Sequence, residues 1–286
     1  MAFTYDQIEE IEELIDKRVQ EKYFRFSQNT EYTFPIMERF IVPKSGYNSN
    51  LIYALGQLCQ LAYEEAERIE ELLHLFDKEW VENFQYKFYD LNKGTQFFII
   101  SNRENVIVCF RGTETKSVRA LQKDWITNLQ IGQEDFLPYG QGKVHRGFKQ
   151  SFALAWRHLL DYLDKHKVHG KNIWFTGHSL GGALATLCSA AFIGNAALTE
   201  RNTFRGLYTF GQPRVGNRRF SAQFEKHIGK VIRIQNCNDP VTYLPTSIPF
   251  KSIYTHVGKE KTISWNGRFR PFRSDAALFL DRKIGM

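Results

Sequence analysis

The chain has 286 residues, of which 43 % are hydrophobic, 15 % aromatic and 24 % charged, a globular composition that excludes a disordered or low-complexity protein. Its formal net charge is +7, but acidic and basic residues are mixed along the sequence, which predicts a solvated surface and no nucleic-acid partner. No apolar run approaches the length of a bilayer crossing, so no transmembrane segment is expected.

The start Met1-Ala2-Phe3-Thr4-Tyr5-Asp6 lacks the basic and apolar parts of a secretory signal, and the expected compartment is the cytoplasm. Cys59, Cys109, Cys188 and Cys237 lie far apart with no pair at metal-ligand spacing, so buried free thiols are predicted. No linker divides the sequence. Residues 5–22 read as an amphipathic helix, with Ile8, Ile11, Leu14, Ile15 and Val19 on one face. Together with an irregular connection at 27–50, punctuated by Pro35 and Pro43, this helix is expected to dock on a main domain at 50–286. A helix of about 25 residues is predicted from Asn50, carrying Leu51, Leu55, Leu58, Leu61 and Ala62 toward a core.

Thr95–Ile100 and Val106–Phe110 read as a hairpin of two buried strands. Residues 114–128 mix charges with Val118, Leu121, Trp125 and Ile126, a pattern that fits either a mobile cover over a site or an ordinary surface helix. Val144-His145-Arg146-Gly147-Phe148 opens a long helix to about His166, whose Phe152, Leu159, Leu160 and Leu163 are expected to pack under a later strand. Asn172–Thr186 is the most informative stretch. Its β-branched and aromatic half is followed by Gly177-His178-Ser179-Leu180-Gly181 and then by Leu184, Leu187 and Ala191 at helical spacing.

A strand that enters a helix through Gly-x-Ser-x-Gly is a nucleophile elbow, with Ser179 at the apex of a strained turn. The Leu180 backbone N–H and the positive helix end then face the place where an oxyanion would form. Gly206–Phe210 and Lys230–Asn236 read as further strands. Strands alternating with helices imply a mostly parallel sheet, whose working residues collect at the strand carboxyl ends. Thr113, Ser179 and Asp239 all fall at such ends. Asp239 before Pro240 also has a plain reading as a turn former, and His145 reads as a hydrogen-bonded structural residue because it precedes Ser179.

The motifs Phe110-Arg111-Gly112-Thr113, Val144–Phe148, Gly177–Ala185, Tyr208–Asn217 and Asn238-Asp239-Pro240-Val241, in this order and spacing, closely resemble the class 3 (fungal-type) lipase family. The resemblance covers residues 50–265 and implies an α/β-hydrolase fold. It implies Ser179 as nucleophile, Asp239 as triad acid, and Thr113 (backbone N–H and hydroxyl) with the Leu180 N–H as oxyanion donors. It further implies a lid after Thr113, and acylglycerols or related lipid esters as substrates, met at a membrane or micelle surface. No metal or organic cofactor is implied, and oligomeric state is left open.

One departure matters. The family's triad histidine lies well downstream of the acid, whereas here the last histidine is His256, which matches a structural position of the family. Three explanations stay open: the chain lacks its C-terminal end, His256 serves as base, or the protein binds without turning over. A hydrolase acting on thioesters or amides is a further reading.

Overall fold

The computed structural model describes residues 49–74, 84–91, 94–113, 132–140, 142–236, 239–245 and 254–263. The expected N-terminal helix at 5–22, the segment 114–128, Cys237 and the stretch after residue 263 lie outside the described residues.

Two helices open the described chain, α1 (Ser49–Leu61) and α2 (Ala66–Leu73). Strands β1 (Gln85–Leu91), β2 (Thr95–Ser101) and β3 (Asn105–Phe110) follow. A short ribbon, β4 (Gln133–Asp135) and β5 (Lys143–His145), leads into α3 (Arg146–Lys165). Next come β6 (Asn172–His178), α4 (Leu180–Gly194), α5 (Ala196–Arg201) and β7 (Thr203–Phe210). The described residues close with α6 (Arg218–Gln223), β8 (Val231–Asn236) and β9 (Lys259–Ile263).

Seven strands form one sheet in the order β1-β2-β3-β6-β7-β8-β9. Pairing is antiparallel from β1 to β3 and parallel from β3 to β9, the mostly parallel sheet that the alternation of strands and helices predicts. Strands buried on both faces should lack a polar side, and β3 is buried at every position. Along β6 the alternation assigns Ile173 and Phe175 to the core under α3 and α4, and Trp174 to the core under α1. Helix α4 is buried from Gly181 to Phe192, which explains its nearly uncharged sequence.

One expectation changes. The single helix predicted from residue 50 is two helices, because the chain tightens after Leu61: Tyr63 N–H and Glu64 N–H donate to Gln60 and Leu61 carbonyls three residues back, and Glu65 is extended. The apolar spacing of Ala62, Ala66, Ile69 and Leu73 runs through this break, so period alone could not reveal it. Helix α3 buries Phe152, Leu159 and Leu163 as expected, in one core with Ile173 and Phe175 of β6, with Leu160 half-buried at the rim, and its main helical neighbour is α4. Cys59, Cys109 and Cys188 are buried free thiols. No described helix is long and apolar enough to cross a membrane.

Candidate active site

Ser179 stands between the end of β6 and the start of α4 with φ 52° and ψ −125°, a conformation that a non-glycine residue adopts only where its surroundings impose it. The surroundings are tight. A Cβ on Gly177 would overlap the Gly181 carbonyl, and one on Gly181 would overlap the Phe110 carbonyl oxygen and stand 2.7 Å from that of Arg111. Only glycines let β6, α4 and the end of β3 approach this closely. The turn is then pinned by two bonds of 2.9 Å, Ser179 N–H to the Phe210 carbonyl and Gly182 N–H to the Ser179 carbonyl. Ser179 is 5 % exposed.

The loop leaving β3 lies against this apex. A Cβ on Gly112 would stand 2.7 Å from the His178 carbonyl oxygen and 3.2 Å from the Ser179 Cβ, so the backbone leading to Thr113 runs beside the serine. Thr113 itself is exposed. Leu180 is the first residue of α4, where a backbone N–H has no acceptor inside its own helix. The two donor positions anticipated from the sequence therefore flank one serine.

Asp239 reaches the same end of the sheet from β8. It caps a short 3₁₀ turn, Pro240–Tyr243, with one carboxylate oxygen accepting the Val241 N–H at 3.0 Å. Its other oxygen faces Gly211, whose φ of 56° is suited to glycine, and a Cβ there would stand 2.6 Å from Asp239 Oδ2 and 3.5 Å from His178 Nε2. Burial pushes the Asp239 carboxyl up to about 6, opposed by the smaller pull of the Val241 N–H.

All eight histidines of the sequence lie among the described residues, and none is hydrogen-bonded to Asp239. His178 turns its Nδ1 to the Tyr63 hydroxyl at 2.8 Å, and burial holds its imidazole near 4. His256 Nε2 donates to the Thr242 carbonyl at 2.8 Å and its Nδ1 is buried. Burial, with help from Arg233 and Arg214, keeps that ring far below the usual histidine range. His256 sits in a loop held by Arg233, which pairs with Glu260 at 3.3 Å and donates to the Val257 and Gly258 carbonyls. His145 packs on Phe148 and Tyr254. The hydrogen bond expected of it is absent at Nδ1 among the described residues, and burial lowers it to about 4.

Sequence reasoning passed over Tyr63 and gave Gly211, inside the Tyr208–Asn217 motif, no role. Tyr63 sits in no motif, and only the break after α1 brings it to His178. Among the described residues no three His, Cys, Asp or Glu side chains gather as metal ligands would.

The profile of the family described as class 3 lipase matches residues 107–248. A Caenorhabditis elegans lipase is 31 % identical over 184 residues, covering 62 % of this chain and 50 % of that protein. A solved Rhizomucor miehei triacylglyceride lipase is 25 % identical with a TM-score of 0.55, covering 77 % of this chain and 83 % of that one. Similar values (25 %, 0.55, 76 % and 82 %) hold for a triacylglycerol lipase whose catalytic centre is described as a serine protease triad. The chain spans about half the length, or somewhat less, of the curated relatives it matches.

Proposed function

Since this chain belongs to the class 3 lipase family, we propose that it carries the site of a serine hydrolase of acylglycerol or related lipid esters, with Ser179 as nucleophile. The observation that carries this reading is the strained Ser179 at the mouth of the parallel sheet, φ 52°, with the 111–113 loop packed against it. Ser179 Oγ attacks the ester carbonyl. The oxyanion collects hydrogen bonds from the Leu180 N–H and from Thr113, each worth about 3 kcal/mol at the transition state if it behaves as comparable donors do. Water then releases the acyl group.

Asp239 is the acid that orients a histidine in this scheme. His256 fits that role poorly, because its Nε2 is taken by Thr242 and its Nδ1 is buried. A protein that holds lipid esters at a membrane or micelle surface without turning them over is the second reading, favoured by the absence of any histidine bonded to Asp239 among the described residues.

Hydrolysis of a short-chain p-nitrophenyl ester tests both. Ser179→Ala should abolish all turnover while changing stability by less than about 1 kcal/mol, since it removes one hydroxyl and keeps the Cβ in its tight place. Turnover that survives Ser179→Ala would end the nucleophile assignment. Brisk turnover by the 286-residue chain that disappears on His256→Ala would make His256 the base.

A further inference from the structure

Tyr63 belongs to no motif, yet it touches both halves of the site. It leaves the end of α1 through two tight turns and places its hydroxyl 2.8 Å from His178 Nδ1, on the residue just before the nucleophile. The same hydroxyl lies against the backbone of the 111–113 loop, where a Cβ on Gly112 would overlap it. The Arg111 guanidinium stands 5.5 Å from the centre of the Tyr63 ring, within range of a cation–π attraction. Through these contacts one side chain joins the elbow to the oxyanion loop. The close backbone approaches, Gly112 against the His178 carbonyl and the Ser179 Cβ, and Gly181 against the Phe110 and Arg111 carbonyls, resist compression but not separation.

We propose that Tyr63 is a positioning residue that locks the 111–113 loop to the elbow, fixing Thr113 relative to Ser179 at the distance an oxyanion needs. The proposal rests on the reading of Ser179 as nucleophile and Thr113 as oxyanion donor. Oxyanion stabilisation depends on donors already in place when charge develops. A loop free to drift would bind the ground-state ester equally well and lose only the transition state. Tyr63→Phe keeps the ring over which Arg111 lies and removes the bond to His178.

The test measures one-turnover phosphonylation of Ser179 by a p-nitrophenyl alkylphosphonate, followed as p-nitrophenolate release. The second measurement is reversible binding of an uncleavable dialkyl ether analogue. Tyr63→Phe should slow labelling by about tenfold, the usual effect of one lost positioning bond, with ether affinity within about twofold of the unsubstituted protein. His178→Gln should give a similar loss that does not add to the first, and it carries the test if Tyr63→Phe does not fold. Unchanged labelling in both variants, or an equal loss of ether binding, would overturn the proposal. Ser179→Ala serves as control: labelling that persists in it would bring down the nucleophile reading itself, a result separate from any effect of Tyr63.

Discussion

Asp239 is ionised at neutral pH against its surroundings. Its folded value of about 6 lies above the ordinary 3.8, so between about pH 4 and 6 the folded protein holds more protons than the unfolded one. The associated stability is complete below pH 4 and is lost as pH rises through 6. A shift of this size corresponds to at most about 3 kcal/mol. Asp239→Asn keeps an oxygen for the Val241 N–H and removes the charge. It should stabilise the fold by about 1–3 kcal/mol at pH 7.5 and leave it unchanged at pH 4, read as urea unfolding at both values. An equal gain at the two pH values would show that the carboxylate charge is not the cause. A buried acid that weakens the fold makes sense where a cationic ring is to meet it during a reaction.

The elbow is the element on which the rest of the site depends, and its sequence was legible because geometry leaves so little choice there. Gly181→Ala would drive a methyl into the Phe110 and Arg111 carbonyls, backbone atoms that cannot swing aside, and should destabilise by about 3 kcal/mol or more. Gly170→Ala makes a useful contrast: its φ is 70° with nothing within 4 Å, so only the backbone preference is lost, about 1 kcal/mol. Thermal unfolding of the two variants separates crowding from conformation. Other elements were less readable. The break after α1 leaves the apolar period intact, so neither it nor the Tyr63–His178 contact it permits shows in the pattern. Strand β1 carries no buried face, its seven residues Gln85–Leu91 being half-buried or exposed, so the alternation that betrays an inner strand is missing at this edge.

Across the whole molecule the parallel order β3-β6-β7-β8 brings Thr113, Ser179 and Asp239 to one end of the sheet. Each follows a strand terminus by a few residues, and for that reason sequence order alone sufficed to group them. Of the partners behind them, Tyr63 arrives by packing and leaves no local trace, whereas Gly211 lies within the Tyr208–Asn217 motif, which does not reveal its contact with Asp239. Packing also decides how the molecule responds to acid. His145, His178 and His256, in three separate elements, are all held below the ordinary 6.5, the first two to about 4. Below pH 6.5 the unfolded chain takes up protons that the folded chain refuses, so this stability is complete above 6.5 and is lost as pH falls toward 4. At pH 5 the His145 and His178 rings would each weaken the fold by ~2 kcal/mol, and His256 acts in the same direction. Asp239 acts in the opposite sense over part of that range, but it is one group against these three and His227, which is lowered as well. The protein should therefore lose a few kcal/mol of stability between pH 7 and pH 5, measured as the shift of its urea midpoint. His145→Phe replaces a ring that already packs on Phe148 and Tyr254 with one that cannot titrate, and it removes the unsatisfied Nδ1. That variant should lose part of the pH dependence, about 2 kcal/mol at pH 5, while remaining at least as stable at pH 5 as the unsubstituted protein; an undiminished dependence would place the acid sensitivity elsewhere.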